Sequence, residues 1–385
     1  MNLQEFLDGN EAKYIAVRQD IHQHPEIGLE ELRTSDLVAK MLTEWGYEVH
    51  RGLGGTGVVG TLRQGDGKRV LGLRADMDAL PMMENSGKAW KSVAEGKFHG
   101  CGHDGHTATL LFAAEWFARS RNFNGTLHLI FQPGEELLIG GKLMMDDGLF
   151  EKFPCDAIFA LHNMPGLAEG SFHFRKGAML SSSDTMQINV HGTGGHGAIP
   201  ERAIDSTVVA CHIVTALQTI VSRNVTPFQP AVVTVGSITS GTVANIISDT
   251  ATLKLSIRTL DPDTRKLVLK RIEEIAVHQA ESFGARADVQ HLSGSPVLMN
   301  NPEMTDFAIN VARSIFEPSL INDNASPMMA SEDFAFMLEK NPQGSYFFVG
   351  AGDGCSVHNP GYDFNDKVMK PAVKFWASLT EQFLK

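Results

Sequence analysis

Four cysteines in 385 residues, Cys101, Cys155, Cys211 and Cys355, are too few for a disulfide framework, and none sits in a CxxC pair. Positive charge is also scarce. Lys and Arg number 33 against 45 Asp and Glu, a formal net charge of -12, which repels a phosphate backbone and argues against a nucleic-acid partner. No apolar run approaches the roughly 20 residues of a membrane span. The opening residues MNLQEFLDGNEAK lack the basic start and apolar centre of a secretory signal, so a cytoplasmic location is expected. Internal repeats and low-complexity segments are missing too. At roughly 100–200 residues per domain, the length predicts two domains.

The densest chemistry lies at residues 98–106, F-H-G-C-G-H-D-G-H, which packs one thiol, three imidazoles and one carboxylate together. Were the backbone extended, Cys101 and His103 would project to the same side and hold one ion or two neighbouring ones. Gly100, Gly102 and Gly105 allow the chain to bend around whatever sits there.

Apolar spacing predicts helices over 3–24, closed by Pro25, and over 30–45, closed by Gly46. Strands are predicted at 57–62 and 69–75, a helix at 106–119, a strand at 125–131, a helix at 141–150 and a strand at 157–161. Candidate functional residues follow strand ends: Arg74-Ala-Asp76-Met-Asp78, Gln132-Pro-Gly-Glu135-Glu136 and His162. Such alternation describes an α/β domain with its site at the sheet's edge. Residues 52–57 match GxGxxG, the dinucleotide fingerprint that would make the chain a nicotinamide dehydrogenase. That motif needs a helix directly after it, and V-V-G-T-L-R reads as strand.

Near residue 180 the pattern changes. Residues 185–191 alternate, as in a sheet covered on one face. A helix, two strands, a second helix and a last strand complete β-α-β-β-α-β, the ferredoxin-like order. Residues 182–293 are therefore expected to form a domain inserted into a larger one made of 1–181 and 294–385.

In extended backbone the adjacent Glu135 and Glu136 would point to opposite sides, one toward metal and one toward substrate. With Cys101, His103, His162 and His358, one of these glutamates completes five ligands, enough for two metals sharing a bridging group. Asp76 or Asp78 is placed to accept the second N–H of a metal-bound imidazole. His22 and His24 read as hydrogen-bonding residues at a helix C-terminus rather than as ligands. A different chemistry is also open, with Cys101 as a thiolate nucleophile paired with His103 or His106.

Seven separated segments resemble the co-catalytic metal amidohydrolases of the aminoacylase and carboxypeptidase type, in their expected order. They are H-x-H-P-E at 22–26, R-A-D-M-D-A-L-P at 74–81, G-C-G-H-D-G-H at 100–106, Q-P-G-E-E at 132–136, G-G-H-G-A-x-P at 194–200, S-E-D-F at 331–334 and H-N-P-x-Y-D-F-N-D at 358–366. The resemblance is greatest to the branch of hippurate hydrolase and the indole-acetyl-amino-acid hydrolases. It implies an α/β catalytic domain, a mixed sheet flanked by helices, with an inserted ferredoxin-like α+β lid or dimerisation domain. It implies two divalent metals, zinc first with manganese, cobalt or nickel open, held by Cys101, His103, Glu136, His162 and His358, with Cys101 as bridge.

By the same resemblance Glu135 is the general base and acid, and His196 polarises the scissile carbonyl, commonly across a homodimer interface. Asn245 and Arg258 match positions that recognise the substrate carboxylate. The implied reaction is hydrolysis of an N-acyl amino acid, with dipeptidase or carboxypeptidase action as the alternative for the same site. Two residues depart from the branch pattern. Gly134 replaces an Ala and is expected only to loosen a turn, and Ser248 replaces a Pro and is expected to alter the loop after Asn245.

Overall fold

The computed structural model describes all 385 residues and divides them into two units. The first comprises Met1–Gly177, Met299–Ser326 and Asp333–Lys385, and the second Ala178–Leu298 and Pro327–Glu332. The return of residues 327–332 to the second unit leaves no trace in the periodicity. It is a tertiary event: the Ser181 N–H donates to Ala330 O at 2.8 Å, and the Ser181 hydroxyl donates to Met329 O at 2.9 Å.

In the first unit, α1 (Leu3–Gln23) begins with a capping box, in which Asn2 Oδ1 accepts from the Glu5 N–H at 2.9 Å and Glu5 accepts from the Asn2 N–H at 3.0 Å. Next come α2 (Leu32–Glu44), β1 (Glu48–Leu53), β2 (Gly57–Gln64), β3 (Val70–Asp76), α3 (His103–Ser120), β4 (Gly125–Gln132) and β5 (Ala157–Met164). An eight-stranded sheet runs in the order β1, β2, β4, β3, β5, then Gly344–Gly350, Phe172–His173 and Ile321–Asn322. Its middle strands β4, β3, β5 and Gly344–Gly350 are mutually parallel, while β1 and β2 close one side antiparallel, so the sheet is mixed. From β3 the chain passes to β4 on one side and then to β5 on the other. A crevice therefore opens at the carboxyl ends of these strands, where ligands bind in such sheets.

Three local expectations are corrected. Strand β1 was not foreseen, and it makes the GxGxxG segment the turn of an antiparallel hairpin with no helix behind it. The helix expected at 141–150 is broken by Gly148 in the left-handed region into Gly140–Asp146 and Leu149–Lys152. Helix α3 starts at His103, three residues early, and is buried all round through Phe117, as an apolar helix under a sheet must be.

The second unit carries a four-stranded antiparallel sheet in the order Ala231–Ser240, Thr250–Thr259, Ser183–His191, Arg286–Ser295. Alternate residues of Ser183–His191 are buried, including Met186, Ile188 and Val190. They pack with Val209, Ile213 and Leu217 of helix Ser206–Thr219 and with Val268 and Ile272 of helix Pro262–Glu281, in a core separate from that of the first unit. No helix of the chain is long and apolar enough to cross a membrane.

Candidate active site

Gly102 turns the chain into α3 with φ of 94°, and a Cβ there would lie 2.4 Å from Asn163 Oδ1. The extended geometry expected for Cys101 and His103 is therefore replaced by a left-handed turn followed by helix. They still converge. Cys101, His103 and His162 each offer one donor atom, and these atoms lie within 4.8 Å of one another. Cys101, Glu136 and His358 form a second such group, and His103, Glu135 and Glu136 a third.

The Gln132-Pro-Gly-Glu-Glu segment also departs from expectation. Gly134 has φ of 60°, and the Leu138 N–H donates to Glu135 O at 2.7 Å, so the two glutamates lie in a turn instead of an extended strand. Both carboxylates consequently face the cluster, each 3.9 Å from His103 Nε2. Gly134 suits this turn rather than loosening it, since a side chain at positive φ costs about 1–2 kcal/mol. The buried Glu31 carboxylate holds the turn from beneath, accepting from the Gly134 N–H at 2.8 Å.

Hydrogen bonding sorts the histidines. His106 uses both ring nitrogens, on Asp76 Oδ1 at 2.6 Å and on Asn163 Oδ1 at 2.6 Å. Both nitrogens are therefore occupied by protein partners. His162 Nδ1 is 2.6 Å from Asn163 O, and since a carbonyl only accepts, Nδ1 carries the proton. Its Nε2 lone pair faces Cys101 Sγ at 3.3 Å, and burial, with neighbouring His106, holds the imidazole well below its ordinary range. His103 Nδ1 meets Asp78 Oδ1 at 3.1 Å, leaving Nε2 buried without a hydrogen-bond partner, as is Glu136 Oε1. Buried polar atoms left unpaired cost about 1–3 kcal/mol each. Here they converge with a soft thiol and imidazole nitrogens, the donor types that divalent transition metals take. The residues present therefore fit such ions.

Burial, and then Glu136, push the Cys101 thiol well above its usual range. A thiol in that state is a poor free nucleophile, which disfavours the thiolate mechanism. Burial opposes charge on Asp76 as well, but His103, His106 and Arg74 hold its carboxyl well below the usual range. His358 is half exposed, with φ of 64°. Its Nε2 is 3.4 Å from Glu136 Oε1, and that pairing raises its pKa.

The remaining predicted site residues lie in the second unit. His196 and Asn245 are neighbours there: the Gly197 N–H donates to Asn245 O at 2.9 Å, and His196 pairs with Ile246 across a two-stranded ribbon. Ser248 leaves this pairing in register and bonds locally, its hydroxyl donating to Thr250 O at 2.8 Å. Arg258 is half-buried and donates to the Ser331 hydroxyl. Buried Asp184 pairs instead with Arg265 at 2.8 Å and with His291 at 2.8 Å.

Apart from Asp76 and Asp78, the layer around the donors was given no role by the sequence. Arg74 is fully buried and reaches Asp76 at 2.7 Å and Gln132 Oε1 at 2.9 Å, and Asn163 Nδ2 donates to Tyr362 Oη at 2.7 Å. All of these residues fall inside or beside motifs already singled out. Their one-dimensional signal was present, but their partners were not readable from it.

Residues 72–382 match Peptidase family M20/M25/M40, and the chain belongs to that family. It is accordingly a hydrolase acting on amide C–N bonds. Along its whole length it is 46% identical to the hippurate hydrolase of Campylobacter jejuni, with 100% of both chains covered. It is 34% identical to the N-acetyl-L-cysteine deacetylase of Bacillus subtilis, over 95% of this chain and 86% of that one. Among solved structures it resembles the YXEP protein of Bacillus subtilis, a dinuclear metal-binding peptidase of the M20 family, with a TM-score of 0.86 at 27% identity over 98% and 99% of the two chains.

Proposed function

We propose that this chain hydrolyses N-acyl amino acids, hippurate-like substrates with an aromatic acyl group among them, to a carboxylic acid and a free amino acid. The observation that carries the reading is the double membership of Cys101, which shares one three-donor group with His103 and His162 and another with Glu136 and His358. Two neighbouring ions would be held by these two groups, with Cys101 common to both. The likeness to a hippurate hydrolase and to an N-acyl deacetylase supports the substrate class.

Divalent ions held by Cys101, His103, Glu136, His162 and His358, zinc first and otherwise manganese, cobalt or nickel, supply Lewis acidity toward the amide oxygen and toward water. Glu135 belongs to neither of the two Cys101 groups and lies 3.9 Å from His103 Nε2, close enough to serve as base. It takes the proton of the attacking water and returns it to the leaving nitrogen. Asp78 fixes the tautomer of His103, and Asp76 holds His106.

Arg258, whose guanidinium bonds a hydroxyl and no carboxylate, reads the substrate carboxylate together with Asn245. His196 donates to the developing oxyanion, in a homodimer formed through the second unit, from the partner subunit's side. Four free cysteines accord with a cytoplasmic enzyme.

A panel of N-benzoyl, N-acetyl and indole-acetyl amino acids, run beside dipeptides with zinc, manganese, cobalt and nickel, tests this. Hydrolysis of N-acyl amino acids that a chelator abolishes and added metal restores is the expected result. Turnover confined to dipeptides would move the enzyme to the peptidase reading, and chelator-insensitive turnover blocked by a thiol reagent would overturn the metal reading.

A further inference from the structure

The two ends of the donor set come from distant parts of the chain, His103 from the start of α3 and His358 from a loop near the C-terminus. A fully buried cation on α1 ties them together. Arg18 Nε and Nη2 meet the two carboxylate oxygens of Asp366 at 2.9 and 3.0 Å, and Nη1 meets Asp363 Oδ1 at 2.9 Å. The same Nη1 lies 3.6 Å from Asp104 Oδ2, and Asp104 is the residue after His103. One turn along α1, His22 Nδ1 reaches that Asp104 oxygen at 2.8 Å.

No other cation pairs with Asp366, whereas exposed Lys88 also reaches Asp363. The loop that Arg18 grips is the one whose histidine is least restrained by burial: His358 is half exposed and sits at positive φ. Its backbone is pinned to the other ligand segment by a single bond, the His358 N–H to Gly100 O at 2.7 Å. Arg18 supplies the rest, because a planar guanidinium binds a carboxylate in two parallel bonds and fixes its angle as well as its distance.

We propose that Arg18 is a positioning residue for the metal centre, holding the His358 loop against the start of α3 so that the Cys101, Glu136 and His358 donors stay in register. The proposal rests on the ligand assignment above. It makes the ion in that group depend on Arg18 and leaves the Cys101, His103 and His162 group independent of it.

Zinc bound per chain, measured across a graded series of zinc buffers, tests this in Arg18→Lys and Asp366→Asn, with wild type and His358→Ala as references. Asp366→Asn retains the shape of the pair and guards against misfolding of the Arg18 variant. The expected result is a loss of about 10–100-fold in affinity for one of two zinc ions, with the other unchanged, matching the pattern of His358→Ala. Two ions held at wild-type affinity in both variants would overturn the proposal. So would equal loss of both ions together with a lowered melting temperature of the zinc-free protein, the signature of a role in the fold alone. If wild type binds fewer than two ions, or His358→Ala holds both at wild-type affinity, the ligand assignment fails and Arg18 falls with it.

Discussion

Asp78 Oδ1 stands 3.1 Å from His103 Nδ1, and the other oxygen of the same carboxylate accepts from the Glu136 N–H at 2.9 Å. One side chain two residues beyond β3 thus sets both the tautomer of a candidate ligand and the backbone position of another. Asp78→Ala is expected to cost about 10–100-fold in metal affinity with little change in the overall fold. Equilibrium dialysis against zinc, beside circular dichroism of the same sample, checks both halves.

Glu135 and Glu136 are neighbours with separate tasks. Glu135→Gln should keep its metal and lose nearly all turnover, about 10²–10⁴-fold for a missing base. Glu136→Gln should lose metal affinity too, since it removes a carboxylate that belongs to the Cys101 and His358 donor group. Equal metal content and equal residual activity in the two variants would refute the assignment.

Arg258 bonds only the Ser331 hydroxyl. Arg258→Ala should raise KM for N-acyl amino acids by about 10–100-fold, the 1.5–3 kcal/mol of a charge-assisted bond, and barely affect their C-terminal amides. A parallel rise for acid and amide would mean that Arg258 does not read the carboxylate.

His196 is exposed in the second unit. Mixing His196→Ala with Glu135→Gln, each inactive for its own reason, should restore activity if subunits exchange and His196 serves the partner. Each mixed dimer then holds one site with both groups intact. Activity that stays at baseline in a mixture shown to contain mixed dimers would assign His196 to its own chain.

The His22 contact carries a pH dependence. Burial opposes its protonation, yet Asp104, followed by Glu84, raises its pKa from 6.5 to about 9. A folded pKa above the unfolded one means that the stabilisation is complete below about 6.5 and fades as pH rises through 9. The shift corresponds to about 3 kcal/mol. Melting of the zinc-free protein should show His22→Gln well below wild type at pH 6 and close to it at pH 10. A gap of the same size at both values would show that protonation of His22 contributes nothing.

The sequence by itself singled out the candidate donors and most of the order of the elements. Cys101, His103, Glu136, His162 and His358 stand out as candidates because few other side chains bind transition metals and because they follow strands or glycines, where an α/β sheet opens. The alternation in Ser183–His191 likewise announces a sheet with one covered face. Geometry was decided only in three dimensions. Glu135 and Glu136 face the same way because Gly134 takes φ of 60°, a torsion no spacing rule reveals. Which histidine keeps a ring nitrogen without a hydrogen-bond partner was settled by residues far along the chain, Asn163 for His106 and Asp78 for His103. Arg18 reads as an ordinary helical arginine until tertiary packing buries it among Asp104, Asp363 and Asp366, because pairing between residues hundreds of positions apart has no local signature.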